Sequence, residues 1–300
     1  MKTNQKTTTS DLMGPVVVGG VGGSGTRVIA EILSLLSFYL GNDLNGPKDF
    51  LLYTLLFKRK KWFYKNKTNE KLLRAGLQLL EKEVISHEPL SFNEISYLLN
   101  AIVSMSIHGH NHLGHGKYFW PLIRIKKMLF EKDIDLSRFN GWGWKEPNSH
   151  LLITQMDQYF ENFKYIHTVR HGLDMAFSEN QQQLYNWGPM FGVNLPKTSK
   201  EVPMASFQFW VKANRSALEK GKIMGPKKFL WINYDQLCIN PEPQIRSLLS
   251  FLEIYPDELI VRKCAELPMV SESSGRFRNH DLDGFDDQNL MYLKSLGFVI

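Results

Sequence analysis

The sequence predicts an α/β fold in which helices cover both faces of a central parallel sheet. Short β-branched and aromatic runs at residues 16–18, 165–169 and 229–232 alternate with segments whose apolar residues recur at helical spacing. Strands that alternate with helices form parallel sheets, because each crossover helix packs back onto a sheet face. The 300 residues are enough for one large domain of this kind.

The first strand, residues 16–18, runs into a glycine-rich turn and then into a predicted helix over residues 26–40. A second helix is predicted over residues 242–252, after the strand at 229–232. Residues 46 to about 135 are expected to form a mostly helical insertion that covers the site. Two apolar stripes in the insertion are interpreted as core packing: Leu72, Leu73, Leu77, Leu80 and Val84, and then Leu98, Leu99, Ile102, Val103 and Ile107.

Composition and charge narrow the class of protein. The chain is 43% hydrophobic with a net charge of +6, which suits a globular protein with an anionic ligand and does not require nucleic acid. Two basic clusters, at residues 58–61 and 124–127, are expected to be solvated helix faces. Residues 1–14 are polar, so no signal peptide is expected there. No apolar run is long enough to predict a membrane span. With two cysteines, we expect a soluble, cytoplasmic protein with reduced thiols.

The loop after the first strand is typical of an anion-binding turn. Glycine lets the backbone approach an anion closely, the next helix contributes its N-terminal dipole, and hydroxyl and guanidinium groups add donors. The candidate residues are Gly22, Gly23, Ser24, Gly25, Thr26 and Arg27.

Two known nucleotide motifs compete for this loop. The ATP/GTP motif needs Lys followed by Ser or Thr after its last glycine, and Gly25 is followed by Thr26 instead. The dinucleotide pattern G-x-G-x-x-G fits at Gly20, Gly22 and Gly25, with Asp43 near the position of a ribose-binding acid. An NAD(P)-dependent oxidoreductase is therefore an alternative, and it requires a second strand after residue 43.

A second anion site is predicted at the end of the strand at 165–169. Arg170 follows that strand, Asp174 begins the next helix, and Ser178 lies eight positions after the arginine. Ligands bind outside the carboxyl ends of parallel strands, so a guanidinium and a hydroxyl there can hold one phosphate.

In order and spacing, these segments resemble the PAPS-dependent sulfotransferase family, where PAPS is 3′-phosphoadenosine 5′-phosphosulfate. The sequence S-G-T at residues 24–26 resembles the family's phosphosulfate loop, and residues 170–178 resemble its 3′-phosphate element. The resemblance implies a P-loop-like three-layer fold, contacts from the first loop to the 5′-phosphosulfate, and contacts from Arg170 and Ser178 to the 3′-phosphate.

Three more segments carry the same resemblance. Lys145 stands in a K-x-P segment, which implies a position near the sulfuryl group. Tyr234 begins a segment similar to the family's Y-E-D-L stretch, which implies a position near the adenine. Arg276 and Arg278 lie in a G-R-F-R sequence that resembles the loop closing over the 3′-phosphate.

The expected reaction moves a sulfuryl group from PAPS to a hydroxyl of a carbohydrate or small molecule, leaving PAP. Most family members carry Lys or Arg directly before the loop serine, where this chain has Gly23, so Arg27 is the expected replacement. The base is expected to be Asp49 or Asp43, with the histidines of residues 108–115 as a second zone. No metal is expected, although His-x-His pairs occur there. A non-catalytic member that binds an anion is the remaining alternative.

Overall fold

The computed structural model describes residues 12–86, 88–130 and 134–300, so the prediction about a signal peptide falls mostly on residues outside the described part. Five described strands form one parallel sheet in the order β2-β3-β1-β4-β5. They are β1 (Met13–Gly20), β2 (Phe38–Tyr39), β3 (Gly141–Lys145), β4 (Lys164–Val169) and β5 (Phe229–Asn233). The predicted α/β fold with a central parallel sheet is confirmed.

Helices connect and cover these strands. They are α1 (Thr26–Leu35), α2 (Leu51–Phe57), α3 (Lys60–Asn66), α4 (Glu70–Glu81), α5 (Phe92–His108), α6 (Trp120–Phe130), α7 (Ile153–Tyr159), α8 (Gly172–Ala176), α9 (Gln182–Trp187), α10 (Val202–Met224), α11 (Tyr234–Ile239), α12 (Pro241–Leu252), α13 (Glu258–Glu266) and α14 (Asp287–Ser295). A π-helical turn, Lys82–Ser86, extends α4, and 3₁₀ turns occupy Leu136–Arg138, Pro147–Leu152, Gly188–Phe191, Ser199–Glu201 and Arg276–Asn279. None of the described helices is both long and apolar enough to cross a membrane.

The central strand β1 separates two hydrophobic cores. Its side chains alternate in direction, as the pleat of a strand requires. Val16 and Val18 pack into one core, which contains residues of α1, α12 and α13. Val17 faces the other core, which contains residues of α2, α4, α5 and α10. All three valines are fully buried, so the sheet is the middle layer of three.

The first helix is shorter than predicted. It ends at Leu35, and Ser37 adopts a left-handed φ of 57°, which turns the chain out of the helix. Phe38 then pairs with Gly141 in β3. The apolar spacing that predicted a helix to residue 40 continues because Phe38 and Leu40 are buried in the same core as α1, although their backbone is no longer helical.

The segment between β2 and β3 contains α2 to α6 and one isolated bridge in its described residues. The second strand that a dinucleotide-binding sheet requires after residue 43 is therefore missing from this described part. The first apolar stripe is core, since Leu73, Leu77 and Leu80 are fully buried.

The second apolar stripe divides between two faces of α5. Tyr97, Leu98, Ala101 and Met105 are buried. By contrast, Leu99, Val103 and Ile107 are 57%, 57% and 59% exposed. The interpretation of those three residues as core was wrong, because helical spacing cannot tell one apolar face of α5 from the other.

The basic cluster at residues 58–61 is not a uniformly solvated face either. Arg59 is only 2% exposed, and its guanidinium lies 4.0 Å from the ring centroid of Trp62. It also donates to the Leu56 carbonyl and to the Asn100 side chain. The prediction failed here because planar, weakly hydrated guanidinium groups can be buried against aromatic rings.

A buried histidine within the sheet should make the free energy of unfolding depend on pH. His167 is fully buried on β4, where its ring N–H donates to Oδ1 of Asn214 at 2.9 Å. Burial lowers the pKa of His167 from 6.5 to about 4. The His167 side chain therefore takes up a proton at a higher pH in the unfolded chain than in the folded protein.

We expect the stability that His167 contributes to be complete above pH 6.5 and to be lost as pH falls toward 4. Urea unfolding between these values should show a slope of roughly 1 kcal/mol per pH unit from this group. His167→Gln should flatten the slope by that amount, whereas His108→Gln, at an exposed position, should leave it unchanged. An unaltered slope in His167→Gln would refute the assignment.

Candidate active site

A cleft of about 400 Å³ opens at the carboxyl edge of the sheet, where β1, β3, β4 and β5 end. This edge is where open parallel sheets bind ligands. Its walls come from the loop after β1, the start of α1, the loops around Pro47 and Pro147, and the start of α9 and α11. The lining residues are Gly22, Gly23, Gly25, Thr26, Arg27, Val28, Pro47, Asp49, Lys58, Lys145, Pro147, Asn148, Asn180, Gln182, Gln183, Asn186 and Tyr234.

The glycine-rich loop packs tightly against the sheet and α11. Gly23 and Gly25 have φ values of +90° and +87°, which side-chain-bearing residues rarely adopt. A Cβ atom at Gly25 would overlap the Tyr234 ring. Ser24 is buried, and its hydroxyl lies 3.0 Å from that of Thr168 on β4. Ser24 therefore fastens the loop to the sheet, while Gly22, Gly23, Gly25 and Thr26 line the cleft.

Arg27 lines the cleft from the first turn of α1. Its side chain is 61% exposed and lies 3.7 Å from the Glu31 carboxylate. An exposed pair of this kind contributes little and holds the guanidinium weakly. Arg27 is thus a mobile cation at the mouth of the cleft.

Lys145, the last residue of β3, is a fixed cation in the cleft wall. The residue is 2% exposed, and its ammonium group pairs with Asp49 and donates to the Pro47 carbonyl at 3.1 Å. Asp49 is held in turn by Asn45, whose Nδ2 donates to its carboxylate at 2.9 Å. The predicted residues Lys145 and Asp49 are therefore brought together.

A second ammonium group in the cleft belongs to Lys58, which the sequence analysis had placed on a solvated face. Its Nζ donates to the Glu146 carboxylate at 3.1 Å. Glu146 is fully buried and also accepts from the backbone N–H and Nδ2 of Asn148, at 2.6 and 2.7 Å. A signal existed in the sequence, because a carboxylate directly after a buried strand needs a cationic partner.

Asp43 is not brought to the cleft. It is buried and forms ion pairs with Arg124 and Lys127 of α6. The basic cluster at residues 124–127 is thereby partly engaged inside the protein. Of the two aspartates considered as a base, Asp49 alone lines the cleft.

Five side-chain amides form an amide wall of the cleft, and no pattern in the sequence predicted them. They are Asn148, Asn180, Gln182, Gln183 and Asn186. The Gln183 amide lies against Gly22, and its Oε1 is buried without a partner among the described residues. Such a wall can hydrogen-bond a polar ligand with both donors and acceptors.

Arg170 directly follows β4 and faces a serine loop. Its guanidinium donates to the hydroxyls of Ser273 and Ser274, at 2.8 and 3.3 Å. Its Nε is buried and has no hydrogen-bond partner in the described part of the chain. An unused donor on a cation is suited to an anionic ligand.

Asp174 fixes the G-R-F-R loop against the arginine. Its carboxylate accepts the backbone N–H groups of Gly275 and Phe277, at 2.8 and 3.2 Å. Arg276 donates to the Phe177 carbonyl, next to Ser178, at 3.4 Å. Arg170, Ser178 and Arg276 are thus gathered around α8, whereas Arg278 is exposed beside the Phe277 ring.

Tyr234 lies between the glycine-rich loop and Arg170. Its ring packs on Gly25, and the guanidinium carbon of Arg170 lies 5.9 Å from the ring centroid. Burial raises the pKa of Tyr234 to about 12, so the phenol stays neutral. The glycine-rich loop and Arg170 are therefore separated by little more than one aromatic ring.

The histidines at residues 108–115 lie beside the cleft and are not among the residues that line it. Burial, with a contribution from Lys58, lowers the pKa of His110 to about 4. Within residues 12–86, 88–130 and 134–300, no group of three or more His, Cys, Asp or Glu side chains is arranged to hold a metal ion.

Comparisons with known proteins agree with this architecture. Two solved sulfotransferase domains have similar structures. One, from the curacin biosynthetic pathway, has a TM-score of 0.50 and 14% identity over 96% of this chain and 99% of its own. The other, from the olefin synthase of Synechococcus PCC 7002, has a TM-score of 0.47 and 13% identity over 100% and 98%. At these identities, the likeness of the curacin-pathway domain shows the fold alone.

A search of curated proteins found no match for the chain. The family model described as "Sulfotransferase family" matches residues 15–258, which span β1 to the start of α13 and include the glycine-rich loop, Lys145, Arg170 and Tyr234. The chain belongs to the sulfotransferase family.

Proposed function

We propose that this chain transfers the sulfuryl group of PAPS to an acceptor hydroxyl and releases PAP. The observation that carries the proposal is the placement of the glycine-rich loop and of Arg170 on either side of Tyr234. PAPS bears anionic groups at both ends of its ribose. The glycine-rich loop lines the cleft, and Arg170 lies next to the cleft residue Tyr234, with its guanidinium carbon 5.9 Å from the ring centroid.

The glycine-rich loop and α1 are proposed to hold the 5′-phosphosulfate. Backbone N–H groups of residues 22–26 and the α1 N-terminus favour an anion there. Arg170, Ser178, Arg276 and Arg278 are proposed to hold the 3′-phosphate, with Tyr234 beside the adenine. The buried, unpartnered Nε of Arg170 supports this assignment.

Lys58 and Lys145 are proposed as the cations that stabilise charge on the leaving oxygen. The usual basic residue before the loop serine is replaced by Gly23, and Arg27 is too exposed to be held firmly. Lys58 has a fixed position because Glu146 is fully buried and hydrogen-bonded. Preorganised charge of this kind acts more strongly than a mobile side chain.

Asp49 is proposed as the general base that accepts the proton of the acceptor hydroxyl. Its carboxylate lines the cleft and is oriented by Asn45 and Lys145. Because Lys145 neutralises it before reaction, taking up a proton leaves the lysine free to interact with the developing negative charge.

The acceptor is proposed to be a polyhydroxyl compound such as a carbohydrate. Five of the residues that line the cleft are amides, and its aliphatic lining residues are Val28, Pro47 and Pro147. Amides can pair with several hydroxyl groups at once. The insertion's aromatic residues Trp62, Phe63 and Phe119 are not among the lining residues, so the proposal for the acceptor rests on the amides.

Calorimetry with PAP tests the donor site. We expect the wild type to bind PAP more tightly than AMP, because only PAP carries a 3′-phosphate. Arg170→Met should weaken PAP binding by about 10- to 100-fold, since a hydrogen bond to a charged group contributes about 1.5–3 kcal/mol, and should leave AMP binding unchanged. Arg138→Met is the control, because Arg138 is exposed and precedes the beginning of β3, at the other end of that strand from the cleft residue Lys145. Binding of NAD without binding of PAP would contradict the proposal.

Turnover of radiolabelled PAPS with a panel of sugar acceptors tests Lys58. Lys58→Met combined with Glu146→Gln avoids a buried unpaired carboxylate and should lower kcat by about 100-fold, the usual effect of removing one preorganised charge contact. Glu146→Gln alone and Lys61→Met, at an exposed position, serve as controls. Full turnover in the double variant would exclude Lys58 as a catalytic residue.

Asp49 and Asp43 form a matched pair for testing the base. Asp49→Asn should lower kcat by about 10²- to 10⁴-fold, the range for loss of a general base, while PAP affinity is retained. Asp43→Asn should reduce thermal stability, because Arg124 and Lys127 lose their partner, with little effect on kcat. If Asp43→Asn lowered kcat and Asp49→Asn did not, Asp43 would be the general base instead.

A further inference from the structure

Helix α5 is apolar on two opposite faces, and the described structure buries only one of them. The outer face carries apolar residues three or four positions apart, which places them on one side of the helix. They are between 44% and 84% exposed: Phe92, Ile95, Leu99, Val103 and Ile107. A helix that is hydrophobic all round is ordinarily covered on all sides.

Helix α6 extends this apolar surface. Tyr118, just before α6, exchanges hydrogen bonds with Ser106 of α5 through its backbone N–H and carbonyl, at 3.2 and 3.0 Å. The beginning of α6 therefore adjoins the outer side of α5. Phe119, Leu122 and Ile123 continue from there with exposures of 48% to 76%. We call these eight residues, five on α5 and three at α6, the α5–α6 face.

The exposed charge carried by the segment of the α5–α6 face is positive. From residue 91 to residue 130, Glu94 is the only acidic residue of the sequence, and it is buried and paired with Lys82. Lys126 is an exposed residue between Ile123 and Leu129 of α6. Within this segment the face thus combines apolar side chains with an exposed cation and no exposed acid, and the exposed Glu88 before it pairs with Lys82 at 3.9 Å.

We propose that the α5–α6 face docks on an anionic phospholipid surface. Apolar helical faces that carry Lys or Arg bind the interface of anionic bilayers, where the apolar side chains enter the acyl boundary and the ammonium groups meet the headgroups. Phe92, Tyr118 and Phe119 are 76% to 84% exposed, and protruding aromatic rings suit the headgroup level.

A second copy of the chain fits this surface less well. A two-fold interface places the same patch of both copies face to face. Each copy would bring Lys126 into the interface, and between residues 91 and 130 the only acidic side chain, Glu94, is buried and already paired with Lys82. Lipid headgroups supply that negative charge.

The docked surface would lie close to the mouth of the cleft. The loop between α5 and α6 contacts the amide wall, since the His112 backbone N–H donates to Asn186 at 2.8 Å and Asn111 donates to Gln182 at 3.0 Å. Gln182 and Asn186 both line the cleft. Docking is independent of the proposed reaction and can be measured without it.

Co-sedimentation with vesicles tests the proposal. The wild type should bind vesicles that mix phosphatidylglycerol with phosphatidylcholine, and binding should weaken at high salt. Leu99→Glu with Val103→Glu should lower the partition coefficient more than tenfold, and Lys126→Gln by about fivefold, as expected from about 1 kcal/mol per basic residue. Leu259→Glu is the matched control, because Leu259 is 59% exposed on α13, which packs on α1 and α12 instead.

Circular dichroism melts establish that each variant is folded. The proposal is overturned if the wild type fails to bind the mixed vesicles, if it binds pure phosphatidylcholine equally well, or if Leu259→Glu weakens binding as much as the double variant does. It is also overturned if light scattering shows a wild-type dimer that the double variant dissociates, since the face would then be covered by a second copy.

Discussion

The cleft depends on one buried carboxylate. Glu146 directly follows β3 and has no exposure to solvent, so hydrogen bonds must replace water around its carboxylate. Lys58 and Asn148 supply those bonds, and the side-chain Oδ1 of Asn148 in turn accepts from the Trp187 indole at 2.7 Å. Glu146 thus joins segments that are distant in the sequence, and Lys58, Asn148 and Asn186, the neighbour of Trp187, line the cleft.

Backbone N–H groups and hydroxyls hold together the residues around Arg170. Asp174 accepts two backbone N–H groups of the loop after Ser274, and that loop presents hydroxyls to Arg170. Ser24 and Thr168 join the glycine-rich loop to β4, the same strand that positions Arg170. Both regions that we propose as anion sites are therefore connected to one strand, β4.

Local patterns in the sequence were enough to predict the strand, glycine-rich loop and helix at the beginning of the fold, because the contacts within them are between near neighbours. Arg170 was also predictable because it follows a predicted strand, and Lys145 because its K-x-P segment resembles that of the family. The pair of Lys58 and Glu146 was not, because its members are 88 positions apart and a run of four basic residues resembles a solvated face. The exposure of the outer face of α5 was not predicted for a related reason. Apolar spacing identifies an apolar face of a helix but not what covers that face.

Because Tyr234 packs closely on Gly25, substitutions at these two positions, which are distant in the sequence, affect each other. Any side chain introduced at position 25 needs the volume that the tyrosine ring occupies, and any smaller residue at position 234 leaves a void above the loop. A mutant library that varied either position alone would therefore yield mostly damaged loops. Joint variation is the route by which a protein engineer would reshape this end of the cleft for a different ligand.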